Sequence, residues 1–563
     1  MGEEVGNQLA EVHRVMASTT RTYGRESWRR DRLALAAIAL VAVFLRLYGI
    51  DFGLPLHYHI DETRVMDRVI RMVSSGDPNP HFFHYPSFIF YFLCAVTLAY
   101  YGIHYIVFAI ASLAGGGFPS LAAFRADFAA NESSLYLLGR FSMALFGVAT
   151  VLLVYFLVKE LFTRRAALLA SLFVAAAPLH VLESHYIKQE VPMTFFMFIA
   201  LFLGVLGTKT GGRWTSAAVG FASGVAASVK YNGLLALSVA PLLFREGGKL
   251  SLRSFFGKGT VGTFFIALLA FLAISPFVLF DFPQFRTDLA YEMFHVAEKG
   301  QHGFDLNGEG IVYHRFLYQL LAAFPFSLGI PLYVAGIAGT IAALMRREGA
   351  LLWLLFFSVP YFLLTSVMKV VFLRYYMPLI VVFCIMAGYG FDVLLSRAPR
   401  LRGIVSLVVV VLVGWTVAFT FSLERHMPRG KSSFDQALVF VRESVSPGSK
   451  VSFTHFTPPL SGETYRLVHM RPENFAESWL AAESPDAIVA SGLVTVGFFR
   501  GGDNLVQGRK FLDDLRGGKL GYIPAARFEN GFLSKRFFGR IDPTLAQTFM
   551  PEIEIFLKES RQR

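Results

Sequence analysis

Cysteine is nearly absent. The chain holds 2 in 563 residues, Cys94 and Cys384, both inside apolar runs. That excludes a disulfide framework and a cysteine-based metal centre. Charge is sparse too: Asp, Glu, Lys and Arg make up 16% of the chain, against the roughly 25% usual in soluble domains. No nucleotide-binding glycine loop occurs, since GFFRGGDN (497–504) lacks the strand–loop–helix spacing such a loop needs. No zinc spacing and no nucleophile elbow is found, and no internal repeat. The only low-complexity tract is Gly115 to Gly117. The first thirty residues are polar and run into RESWRRDR, so no cleavable signal peptide is expected.

What the chain has in excess is apolar and aromatic surface. Hydrophobic residues reach 54%, with 58 Phe, and apolar runs near ~20 residues recur from Leu33 to Leu423. The fold class is therefore a polytopic all-α membrane protein. The net charge of +12 would suggest a nucleic-acid partner in a soluble chain. Here the Lys and Arg lie in short loops between apolar runs, which is the positive-inside signature instead, and no nucleic acid is expected. About eleven spans are expected, near 31–50, 135–158, 166–182, 191–207, 214–229, 232–245, 259–280, 318–344, 350–366, 376–395 and 403–422. RESWRRDR places residues 1–30 in the cytoplasm. The aromatic stretch 86–114 is expected to cross an even number of times or to lie at the interface. KELFTRR, TKTGGR, REGGKLSLR, RREG and SRAPRLR then all face the cytoplasm.

Beyond the transmembrane region (31–425), residues 427–563 change character. SSFDQALVFVRESV reads as an amphipathic helix, SPGSK as a turn, and KVSFTH and SPDAIVAS as strands. A small external α/β domain is expected there.

The stretch HYHIDETRVMDRVIRMVSSGD, 57–77, lies in the external segment 51–134 after the first span. Val65, Val69, Met72 and Val73 recur at helical spacing, so it reads as an interfacial amphipathic helix entered through Asp61. Under this topology the external face collects ESHYIKQEVP, SVKYNG, the loop from Asp281 to His314, and VMKVVFLRYYMP. Charged side chains this close to apolar segments are costly and usually mark a site. His57, His59 and Asp61 form an HxHxD pattern that can ligate zinc. With His81, His84 and His185 they read instead as hydrogen-bonding groups at a wet interface, and neither a metal nor another cofactor is expected.

The order of these motifs resembles the C-type membrane glycosyltransferases, in particular the protein O-mannosyltransferase and lipid A aminoarabinose transferase group. Asp61-Glu62 follows the first span, HYPSF comes some twenty residues later, and then LGRFSMALFGVATVLLVY, APLHVLESHYIKQEVPMTFF, GFASGVAASVKYNG, KGQHGFDLNGEGIVYH and FLRYYMP. The resemblance spans most of 31–425 and fades over the external domain. It implies transfer of a sugar from a polyprenyl phosphate to an acceptor hydroxyl, with inversion. The acceptor is a protein Ser or Thr or, alternatively, lipid A or another glycan or lipid. It implies an inner-membrane location, with site and C-terminal domain on the periplasmic or external side.

Asp61 matches the family's catalytic base, because an alcohol attacks well only as its proton is taken. Glu62 is its supporting neighbour, and Glu190 matches a second acidic position. The leaving phosphate needs cations. Arg64 matches the aminoarabinose branch's arginine, while Arg374 and Lys230 are the other candidates for the phosphate. Arg140, His185, Lys188, Tyr231 and Tyr375 complete the expected substrate-binding set. Two departures narrow the assignment. Tyr85 precedes Pro86-Ser87 where aminoarabinose transferases tend to have Lys before Pro-Pro, and the loop from Asp281 to His314 is too short for the domain eukaryotic O-mannosyltransferases insert there. A transporter is the rival from another class. It calls for inverted repeats around a mid-membrane site, whereas these charges gather on one face.

Overall fold

The computed structural model describes residues 30–559, except 116–119, 121, 125, 127–131, 211–213, 296–314, 369–371, 426, 429, 498–505, 530–535, 539–544 and 546–550. The motif KGQHGFDLNGEGIVYH lies outside the described residues.

The expected α-helical membrane architecture is present, but with fewer full-length spans than expected. Among the described residues, six helices are long and apolar enough to cross a bilayer: Phe88–Ala114, Glu132–Leu161, Glu190–Thr210, Leu252–Ile274, Leu373–Arg397 and Pro399–Glu424. A seventh forms if Phe316–Leu328 and Ile330–Met345 count together, although they meet at a 117° bend. Thr215–Val229, Tyr231–Phe244 and Leu351–Val367 are shorter apolar helices, and the chain is also helical over 30–47.

The shortfall has local causes. The expected span at 166–182 breaks where Ala177 turns extended ahead of Pro178, leaving Arg164–Ala176 and Pro178–Glu183. A residue before proline is pushed out of the helical region, so the helix ends there. The run at 318–344 breaks at Gly329, whose φ of 76° no L-residue adopts cheaply. Tyr231–Phe244 winds as a 3₁₀ helix with Pro241 inside it.

The helices close on one another through small residues. Helix Ile330–Met345 packs on Met377–Arg397 so closely that a Cβ at Gly339 would collide with the Met386 carbonyl. Without a hydrophobic force between helices in lipid, such backbone approach supplies the packing. The opposite surfaces stay apolar and exposed, as at Ile103, Ile106, Ile110, Phe264, Phe265, Val410 and Val411, which fits a lipid boundary.

The 57–77 stretch folds as expected into a helix, Ile60–Ser75. It buries Val65, Met66, Val69 and Met72 against Ile89, Phe90 and Leu93 of Phe88–Ala114. The aromatic stretch is thus one continuous helix whose first turns lie on the amphipathic helix.

Among the described residues, the C-terminal region forms a five-stranded sheet, β1 (Lys450–Phe453), β2 (Arg466–His469), β3 (Ala487–Ser491), β4 (Tyr522–Phe528) and β5 (Ile553–Lys558). Their order is β2-β1-β3-β5-β4. β1 runs parallel to both β2 and β3, while β5 is antiparallel to β3 and β4. Alternate residues feed two cores. Val451, Ala487, Val489 and Ile555 face Phe434, Ala437 and Val441 of helix Ser433–Ser444. Ile488, Ala490 and Phe556 face Phe511, Leu512 and Leu515 of helix Val506–Arg516. The period of two along each strand sends neighbours to opposite faces.

Candidate active site

Asp61 sits in the first turn of Ile60–Ser75. The cap, however, is His59, whose Nδ1 accepts the Asp61 N–H at 3.1 Å. The helix is therefore capped two residues earlier than the sequence pattern suggested, and the Asp61 carboxylate is released from capping. It turns toward Arg374, with Nη2 to Oδ2 at 3.3 Å, while Arg64 stands off at 4.0 Å and is half-exposed.

Arg374 comes from a short 3₁₀ turn, Leu373–Tyr376, that leads into Met377–Arg397. Its Nε lies 3.2 Å from Glu190 Oε1, so one guanidinium bridges two carboxylates. Lys230, at the break between Thr215–Val229 and Tyr231–Phe244, donates to the same Glu190 oxygen at 2.7 Å. Its Nζ stands 4.1 Å from the centre of the Tyr375 ring. Glu190 is buried, and its Oε2 has no hydrogen-bond partner among the described residues. Asp61, Arg374, Glu190 and Lys230 thus form one chain of alternating charge drawn from four separate segments.

Burial alone would push the Asp61 carboxyl upward. Arg374 above all, then Lys188 and Arg64, outweigh it and hold Asp61 well below the usual carboxylate range. Burial and the nearby Lys188 push His59 far below its ordinary value, so its imidazole stays neutral and free to accept the Asp61 amide.

The expected residues separate into two groups. Lys188 is buried, pairs with Glu183 at 3.1 Å, lies 4.2 Å above the Tyr186 ring, and adds to the field on Asp61. Glu62, adjacent to Asp61, points elsewhere. Its carboxylate takes Arg140 in a fork at 2.9 and 2.7 Å, and both side chains are fully buried. Arg140 also donates to the carbonyls of Ile50 and Phe52 and stacks on the Phe52 ring at 3.8 Å. His185 is buried too, with its ring nitrogens 3.0 Å from the carbonyls of Val181 and Tyr48; burial pushes it down to about 4. Tyr231 donates to the Phe83 carbonyl at 2.7 Å and so fixes the loop ahead of HYPSF. Glu62, Arg140, His185 and Tyr231 therefore brace the segments that carry the charged chain.

Tyr85 was not foreseen. It lies within electrostatic reach of Asp61, Arg374, Glu190 and Tyr375, and burial pushes its phenol upward, so it remains a neutral donor. The sequence marks Tyr85 only as a departure from the aminoarabinose pattern within HYPSF, not as a site residue. Among the described residues, no group of three or more His, Cys, Asp or Glu is set to hold a metal ion. His57 stacks on Tyr136 instead, ring centres 3.7 Å apart.

Residues 110–287 match the family model described as dolichyl-phosphate-mannose-protein mannosyltransferase. That segment contains Arg140, Lys188, Glu190 and Lys230; Asp61 and Arg374 lie on either side of it. No curated protein matches the chain in sequence. Among solved structures, the chain is similar to the Archaeoglobus fulgidus oligosaccharyltransferase, with a TM-score of 0.50 and 14% identity over 85% of this chain and 72% of that one. ArnT from Cupriavidus metallidurans, bound to undecaprenyl phosphate, gives 0.49 and 15% over 93% and 97%. The Saccharomyces cerevisiae protein O-mannosyltransferase Pmt1-Pmt2 complex, bound to the sugar donor, gives 0.28 and 18% over 49% and 35%. At 14% identity the likeness to the Archaeoglobus fulgidus enzyme is one of fold. The resemblance to protein O-mannosyltransferases, read from the motif order, has its counterpart in the family match over 110–287.

Proposed function

We propose that this chain is an inverting membrane glycosyltransferase. It moves a sugar from a polyprenyl phosphate to a hydroxyl on a protein, or alternatively on lipid A or another glycan or lipid. The bridge from Asp61 through Arg374 and Glu190 to Lys230 carries the reading. It puts a carboxylate and two cations within one small space at the water boundary, and the family match supports the donor class.

In the reaction, the acceptor oxygen attacks the anomeric carbon as its proton passes to Asp61. The bond from that carbon to the phosphate oxygen breaks, and the electron pair leaves with the phosphate. Arg374 and Lys230 take the growing charge, where prearranged cations act most strongly. Glu190 holds both cations, and Lys188 and Tyr375 line the same space. A phosphate that draws Arg374 away leaves Asp61 with less opposing charge. The base therefore gains strength when donor is in place, as proton transfer requires.

The proposed organisation is a transmembrane unit at 31–425 with eleven crossings, and an external unit at 427–563. The N-terminus lies in the cytoplasm of an inner membrane, and the site opens to the external side. Helix Phe88–Ala114 belongs at the interface in this scheme. The basic loops call for this, since a single crossing there would turn every later one outward.

The deciding experiment is Asp61→Asn, which keeps shape but removes the base. Transfer from purified polyprenyl-phosphate sugar into an acceptor extract is expected to fall by about 10²-fold or more, while donor binding persists. Undiminished transfer would leave Asp61 with no chemical role.

A further inference from the structure

The loop between the first helix and Asp61 does not stand alone. It is seated on the chain that enters the C-terminal sheet region, and three contacts make the seat. Tyr58, three residues before Asp61, donates its hydroxyl to Asp435 Oδ1 at 2.5 Å, across 377 positions of sequence. Its ring also meets Phe434 edge-on, with centres 5.1 Å apart. Gly49 has φ 69°, and a Cβ there would come within 2.9 Å of Met427 Cβ. Gly53 has φ 64°, and a Cβ there would strike the Tyr58 ring. Met427 is fully buried at this junction.

Asp435 is itself tightly held. Its other oxygen accepts from Gly430 N–H at 3.1 Å, Ser432 N–H at 3.2 Å and Ser432 Oγ at 2.7 Å. It stands in the first turn of helix Ser433–Ser444, which packs on β1, β3 and β5. Ser433 Oγ adds a bond to Pro551, just ahead of β5. A displacement of the sheet region is thus passed to Tyr58. From Tyr58 it reaches His59, which caps the helix and accepts the Asp61 amide.

We propose that the Tyr58–Asp435 contact makes the C-terminal region a positioning device for Asp61. Resting on the glycosyltransferase reading above, the reaction geometry then depends on how the external region is seated. Tyr58 touches none of the reacting groups; it acts through His59 and the first turn of the helix. A base displaced by an ångström loses rate far more than its partner loses binding.

Tyr58→Phe removes one hydroxyl and leaves the ring on Phe434. Asp435→Asn keeps an oxygen for the local cap but weakens the bond to Tyr58. Each is expected to lower kcat for sugar transfer by about 10-fold with donor KM unchanged. The double variant should fall no further than either single, since both remove one interaction. Gly49→Ala disturbs the same seat from the other side and should share the kcat loss. Hydrogen exchange of amides 59–64 in the purified full chain gives a readout independent of activity. It should quicken in Tyr58→Phe while helix Ser433–Ser444 stays protected. Faster exchange in a chain with no transferase activity would support the seat and reject the glycosyltransferase reading. Unchanged exchange with unchanged kcat, or a melting shift alone, would overturn the positioning role.

Discussion

At the scale of single residues, the site depends on which charge answers which. Asp61 is held below the usual carboxylate range, so it stays ionised across the physiological range. The stability contributed by its pairing is complete above the ordinary carboxylate pKa and is lost only as pH falls through the depressed value. Wild-type kcat/KM should therefore show no acid limb from Asp61 at about pH 5 and above. Arg374→Ala removes the strongest opposing charge and leaves burial, which raises the pKa. In that variant the residual kcat/KM should fall on the acid side at a higher pH than in wild type. Its rate at neutral pH should drop as well, by about 2–4 kcal/mol of transition-state stabilisation. Arg374→Lys should recover only part, because an ammonium bridges two carboxylates less well than a planar fork does. Full activity and an unshifted profile in Arg374→Ala, at normal protein level, would remove Arg374 from the phosphate.

At the scale of elements, neighbours in sequence part company. Asp61 and Glu62 are one residue apart, which is about 100° around a helix. One faces the charged chain and the other is locked onto Arg140. Glu62→Gln leaves a guanidinium buried with half its fork unmet. Breaking a buried pair costs about 3–5 kcal/mol, so a large drop in melting temperature is expected in detergent. Donor binding by the remaining folded enzyme should be near normal. A variant that melts like wild type yet loses transfer would give Glu62 a chemical role after all. The amphipathic helix itself was legible from its apolar spacing. Its cap was not, because histidine seldom serves as one and only the bound geometry of His59 displays it. The broken spans were half-legible: Pro178 and Gly329 are visible, but the 117° bend between Phe316–Leu328 and Ile330–Met345 depends on what those segments pack against.

At the scale of the whole molecule, the proposed sidedness makes a separate test. A reporter fused after Arg425 should read as external and one fused within KELFTRR as cytoplasmic. A third after Gly115 should read as external if Phe88–Ala114 lies at the interface. Reversed signals at the first two would remove the external face on which the site is placed.

What the sequence by itself determined is set by composition and order. Apolar runs require a membrane, and the succession of motifs from Asp61 to Arg374 points to the chemistry. The positions of β1, β3 and helix Ser433–Ser444 were readable for the same reason, since burial imposes a local period. β2 and β4 carried no comparable signal; β2 is a short, partly exposed edge, and β4 alternates weakly. Only the tertiary structure decided which charges meet. Asp61, Glu190, Lys230 and Arg374 lie on four segments, and nothing local states that Glu190 is shared by two cations. Nor does anything local send Glu62 to Arg140 or Tyr58 to Asp435. Electrostatic partners are chosen by distance in space. In a chain whose helices pack through backbone approach, that distance is settled by how all of them close together.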